Sequence, residues 1–109
     1  MVVGGASLIG FSLHQLIKLY QQQTENPVAF ELINRYKTAN AKDQGEIIWG
    51  LLAPHQQDLE RIVASMNEGP QEEIQKLFIK LHQLFLKEKF PHSNWKYWLS
   101  RILKNELLN

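Results

Sequence analysis

Cysteine is absent from the chain, which removes disulfides, thiolate metal ligands and cysteine nucleophiles from consideration. A chain without cysteine suits a reducing compartment, so a cytoplasmic location is the expectation. Long apolar runs are also absent. The opening "MVVGGASLIGF" is apolar, but it falls short of the ~20 residues that span a bilayer. No basic residue stands in it, Lys18 being the first, so neither a signal peptide nor a transmembrane segment is expected. No serine lies in a G-x-S-x-G context and no glycine-rich loop resembles a phosphate cradle. None of the four histidines, His14, His55, His82 and His92, has a second histidine at i+3 or i+4. A helical metal site needs two ligands on one face, so no metal site is expected. Glu72 and Glu73 fall in a first helical turn, where negative charge complements the helix dipole and needs no catalytic role. The sequence therefore assigns no catalytic residue, and an enzyme is not expected.

What is present is helical pattern. At 109 residues with 44% apolar and 21% charged residues, the chain suits one folded domain spanning 1–109. Apolar residues recur at helical spacing almost throughout. Leu13, Leu16, Ile17 and Tyr20 mark a first helix that runs into the glutamines 21–23. Asn26-Pro27 reads as an N-cap and first helical position, with Ala29, Leu32, Ile33 and Tyr36 as the inward stripe. Asn40 caps a third helix with Asp43 three residues on, and Ile47, Ile48, Leu51 and Leu52 line it. Pro54 ends that helix and begins a fourth, lined by Leu59, Ile62, Val63 and Met66. Gly69-Pro70 is the clearest break. Beyond it Ile74, Leu77, Phe78, Leu81, Leu84 and Phe85 form the longest stripe. "KFPHSN" (89–94) is a turn with Ser93 as the expected cap, and Trp95, Trp98, Leu99, Ile102 and Leu103 carry the last helix. No segment alternates as a strand does. The fold class is all-α, a compact bundle of five or six short helices, antiparallel because their connections are short.

Charge is unevenly spread along the chain. Residues 25–75 hold nine acids against four bases, whereas residues 76–104 hold seven bases against Glu88 alone, for an overall net of +1. Such asymmetry steers an anionic partner to one end, or lets the two ends attract each other inside the fold or between copies. Lys76, Lys80 and Lys87, at i, i+4 and i+11, share one face of the fifth helix, and "NWKYWLSR" sets Trp95, Tyr97 and Trp98 among basic residues. Lys76, Lys80, Lys87, Tyr97 and Trp95 are thus the candidate partner-binding residues. The plainer reading puts the lysines in water and the tryptophans in the core. Tyr97 stands off the inward stripe and is the better surface contact. With a sequence pI near 8.0 and no helix-turn-helix signal, nucleic acid is not the expected partner. The apolar N-terminal residues Val2, Val3, Leu8, Ile9 and Phe11 exceed what one stripe needs. They dock a protein partner, a second copy of the chain in a homodimer, or the domain's own core.

Trp49 needs separate account. It lies beside the Ile48/Leu52 stripe, between Gly45 and Gly50, and a helical glycine costs roughly 1 kcal/mol relative to alanine. Two such glycines imply close approach of another body, either a neighbouring helix or a flat or rod-like apolar ligand stacked on the indole.

The segment "INRYKTANAKDQGEIIWGLL" (33–52) resembles the helix-loop-helix near the start of the helical, N-terminal carotenoid-binding domain of the cyanobacterial orange carotenoid protein. The shared features are Arg35-Tyr36, Asp43-Gln44 and Ile47-Ile48-Trp49. "LERIVASMNEGPQEEIQKL" (59–77) and "SNWKYWLSRIL" (93–103) are more distantly similar to later stretches of that family. The resemblance implies an all-helical domain in which Trp49 lines a carotenoid tunnel with Ile48 and Leu52 beside it. It also implies a carotenoid as the cofactor and work in photoprotection near the thylakoid surface. The sequence departs from the family at Leu52, where the family has an aromatic residue, and at Ala53-Pro54-His55, where it has Glu-Met-Gly. No second tunnel tryptophan is evident, and the chain is shorter than the family's two-part domain. The alternative is a helical protein–protein adaptor with no pigment, working through the basic and aromatic C-terminal helices or the apolar N-terminus.

Overall fold

The computed structural model describes residues 8–66, 69–89 and 94–108. Among these the chain is all-α: six α-helices, one 3-10 turn and no strand. The helices are α1 (Leu13–Gln22), α2 (Asn26–Tyr36), α3 (Ala41–Leu52), α4 (Gln56–Ser65), α5 (Pro70–Leu86) and α6 (Trp95–Leu108), with the 3-10 turn at Ala53–His55. The chain divides into two compact units, Met1–Pro54 and His55–Asn109. In the first α1, α2 and α3 pack on one another, and in the second α4, α5 and α6 do so. The boundary falls at Pro54, where the sequence has a helix break but no linker.

In the N-terminal unit two of the three helix starts, those of α1 and α3, are set by side-chain caps. Ser12 and Gln15 form a reciprocal capping box at α1: the Gln15 N–H donates to Ser12 Oγ at 3.2 Å, and the Ser12 N–H donates to Gln15 Oε1 at 2.8 Å. Asn40 caps α3 as its sequence implies, its Oδ1 accepting from the Asp43 N–H at 2.8 Å. At α2 the cap falls one residue earlier than expected. Glu25 is the N-cap and Asn26 is already helical, with no side-chain cap bond, and Pro27 sits in the first turn. Leu16, Tyr20, Ala29, Leu32, Ile33, Tyr36, Ile47, Ile48 and Leu51 are buried. Burial raises the phenol pKa of Tyr20 and pushes that of Tyr36 up to about 12, because the phenolate is poorly solvated there.

Two contacts fix this unit. Arg35 on α2 pairs through Nε with Glu31 Oε2 at 2.8 Å. Its other nitrogens donate to the carbonyls of Phe11, Leu8 and Ile9 in the turn before α1. Leu8 is thereby held in the core at 1% exposure while Ile9 stays 72% exposed. Val2 and Val3 lie outside the described residues. The second contact explains one of the two glycines: a Cβ on Gly50 would lie 3.0 Å from Ile17 Cγ2, so α1 packs directly on the α3 backbone there. A Cβ on Gly45 would meet nothing within 4 Å.

In the C-terminal unit Leu59, Val63, Ile74, Leu77, Leu81, Phe85, Trp95, Leu99 and Leu103 form the buried stripes. Pro70 opens α5 after the N-cap Gly69, and Glu72 and Glu73 occupy its first turn. The helix ends in a Schellman arrangement, the Lys89 N–H donating to the Leu84 carbonyl and the Glu88 N–H to that of Phe85. Glu88 holds the left-handed position at φ 57°, one that usually belongs to glycine. At α6 the capping bond comes from Asn94, whose Oδ1 accepts from the Tyr97 N–H at 3.0 Å. Ser93, the cap expected from sequence, lies outside the described residues. Trp95 packs against Trp98 at 5.4 Å between ring centres, and Phe85 lies 6.1 Å and 6.4 Å from the two.

Two stability measurements test this account. Gly45→Ala replaces a helical glycine in open space and should raise stability by ~1 kcal/mol. Gly50→Ala must push against Ile17, so its thermal midpoint should fall below that of Gly45→Ala, and equal gains would refute the close approach. Glu88→Gly relieves the left-handed strain and should stabilise by about 1 kcal/mol in denaturant unfolding.

Candidate functional site

The site begins with the rotation of α3. Ile48, Leu51 and Leu52 fill the inward stripe, at 0%, 0% and 2% exposure, and Gly50 seats against Ile17. Trp49 falls between these positions and is left 48% exposed. One turn before it stands Gly45 and one turn after it Ala53, both too small to cover the indole. The result is a half-exposed indole with small residues one turn away on either side along the helix. Ile48 and Leu52, grouped with Trp49 from sequence, lie behind it in the core and present no surface to a ligand at this face.

The structure separates the candidate partner-binding residues. Trp95 is fully buried in the aromatic cluster with Phe85 and Trp98, because it leads the inward stripe of α6. It therefore serves as core, not as a surface contact. Tyr97, two residues on, is 64% exposed, with the Arg101 guanidinium carbon 6.0 Å from its ring centre. Lys76 pairs with Glu73 at 3.0 Å, and Lys80 approaches Glu106 of α6 at 3.5 Å. Lys87 is exposed at the C-cap of α5. The three lysines share a helix side, but two of them are engaged by carboxylates.

A polar cluster that sequence spacing did not single out joins α4 to α6. Lys96 Nζ donates to Asp58 Oδ2 at 2.7 Å, and Arg61 lies 3.5 Å from Asp58 Oδ1. His55, the N-cap residue of α4, is buried at 6% exposure. The hydrogen bond and charge of Lys96 hold the Asp58 carboxyl below the usual carboxylate range, and Arg61 adds to this. Burial pushes the His55 imidazole below its ordinary pKa of 6.5; Lys96 acts in the same direction and Asp58 opposes both. Only tertiary structure brings His55 and Asp58 to Lys96, across some forty residues of sequence.

Among the described residues no three His, Asp or Glu side chains converge as a metal site requires, and no helix is long and apolar enough to cross a membrane. Comparison with protein-family models, with curated proteins and with solved structures returns no match to this chain.

The polar cluster gives an acid response with a definite sign. The unfolded chain takes up the His55 proton more readily than the folded one, so stability present above pH 6.5 is lost as the pH falls through the folded pKa. Asp58 adds a second loss at lower pH, below the unfolded value of 3.8, where its carboxylate is protonated away from Lys96. The imidazole NMR signal of His55 should titrate with a midpoint under 6.5. Thermal melts of His55→Gln should lose the upper part of the acid destabilisation and keep the lower part. A midpoint at or above 6.5 would remove the cause assigned here.

Proposed function

We propose that this chain is a non-catalytic binding module whose anchor is Trp49. The observation that carries the reading is the half-exposed indole on α3, set between Gly45 and Ala53 while the core is completed by Ile48, Leu51 and Leu52. Tryptophan is among the residues that contribute most to binding when a partner covers them. The resemblance of residues 33–52 to the carotenoid-binding domain of the orange carotenoid protein supports a carotenoid as the ligand. On that reading the chain is a shortened relative of that domain, acting in cyanobacterial photoprotection or light-harvesting regulation. The polyene stacks on the outer face of Trp49, with Ile48 and Leu52 supporting the indole from behind.

A second reading rests on a separate observation, the exposed Tyr97 with Arg101 beside it. In it the C-terminal unit is a protein–protein adaptor surface and no pigment is involved.

Expression in carotenoid-producing cells tests the first reading. The purified protein should absorb in the visible, and Trp49→Ala should lose the colour while keeping its helical circular dichroism. A colourless wild-type protein removes the pigment and leaves the adaptor reading standing.

A further inference from the structure

One face of α6 carries no carboxylate. Tyr97, Arg101, Lys104 and Leu108 recur at i, i+4, i+7 and i+11, and at 3.6 residues per turn they fall within an arc of about 60°. All four are exposed, Tyr97 at 64% and Leu108 at 73%. Arg101 is held along the helix by the Tyr97 ring. Lys104 stands three residues further, so two like charges adjoin and repel. Other lysines of this unit are engaged: Lys76 by Glu73, Lys80 by Glu106 and Lys96 by Asp58. Glu106, the only acid on α6, lies on the opposite side of the helix, where it meets Lys80.

We infer that this face docks an acidic segment of a partner protein: two carboxylates about one helical turn apart, with an apolar side chain on each side. The inference rests on the adaptor reading above and gives that partner a chemistry. The two cations match two carboxylates and relieve the repulsion between them. A nucleic-acid backbone or an anionic bilayer draws its affinity from a larger number of cations. The apolar groups stand at the two ends of the stripe, about 16 Å apart along the axis, and do not form the continuous apolar side that sinks into lipid. They instead bracket the charges, as the rim and anchors of a peptide site do.

The test uses the full chain and a fluorescein-labelled, helix-forming peptide with two glutamates three residues apart, each flanked on its outer side by leucine, read by anisotropy. The peptide should bind, and more weakly as salt is raised. Charge reversal by Arg101→Glu with Lys104→Glu should weaken it by about tenfold or more, as should exchange of the peptide glutamates for glutamine. Arg101→Gln with Lys104→Gln is the milder pair, with circular dichroism as the check on folding. Lys87→Glu, at the end of α5, should leave the affinity unchanged. Equal binding by wild-type and charge-altered chains overturns the inference. So does binding of an oligo-dT strand or of phosphatidylserine-containing vesicles in place of the peptide. Peptide binding that falls with Lys87→Glu but not with the α6 pair overturns this assignment while leaving an adaptor surface elsewhere on the unit.

Discussion

The N-terminal unit depends on the Arg35 guanidinium. Three carbonyls at the turn of residues 8–11 point to one side chain, that of Leu8 accepting from the Phe11 N–H as well. Arg35 meets all three while Glu31 orients its Nε edge. The turn so fixed delivers Ser12 to its capping position, and Ser12 sets the start of α1. From that start, Ile17 arrives over Gly50, where any Cβ would crowd it. The seating of Ile17 in turn fixes the rotation of α3, and that rotation turns Trp49 outward. Lysine in place of Arg35 would carry the charge but not the planar fork that reaches several carbonyls at once.

Part of the uneven charge of the sequence is answered inside the C-terminal unit. Asp58 belongs to the acid-rich stretch and Lys96 to the basic one, and they meet at 2.7 Å between α4 and α6. Lys80 also meets Glu106 between α5 and α6, though Glu106 lies outside the acid-rich stretch. These pairs are exposed enough that each adds little to stability. What they add is register, since each pairing fits one arrangement of the helices. Their more useful consequence is subtractive: once Lys76, Lys80 and Lys96 are engaged, Arg101 and Lys104 stand out as positive charges that α6 itself does not answer.

Much of this architecture is legible in the residues alone. Apolar spacing and the prolines mark all six helices, and Asn40 announces its cap because a short acceptor three residues before an N–H has few other uses. The errors are local. Asn26 precedes a proline and so looks like a cap, yet the chain turns helical one residue earlier. Ser93 and Asn94 are both capping residues in succession, and sequence offers no ground for choosing between them. Trp95 and Tyr97 are both aromatics among lysines, and the helical phase that sets Tyr97 off the inward stripe sends Trp95 into the core, so of the two only Tyr97 stays a surface contact. Gly45 and Gly50 are equally unreadable: the same residue at similar cost, one needed for helix contact and the other not. The His55–Asp58–Lys96 cluster could not be foreseen, since its members meet only through the packing of α4 and α6.

Trp49 is the large apolar residue of α3 that burial explains least, because about half of its surface stays exposed. A fully buried aromatic of this size contributes ~2 kcal/mol or more through area removed from water, and half of that is forgone here. The core of its unit does not need it, because Ile47, Ile48, Leu51 and Leu52 already close the inward side of α3. Burial therefore accounts for the neighbours of Trp49 along the stripe more fully than for the indole itself. The half-open indole, with small residues one turn to either side, is the surface on which the proposed binding reading rests.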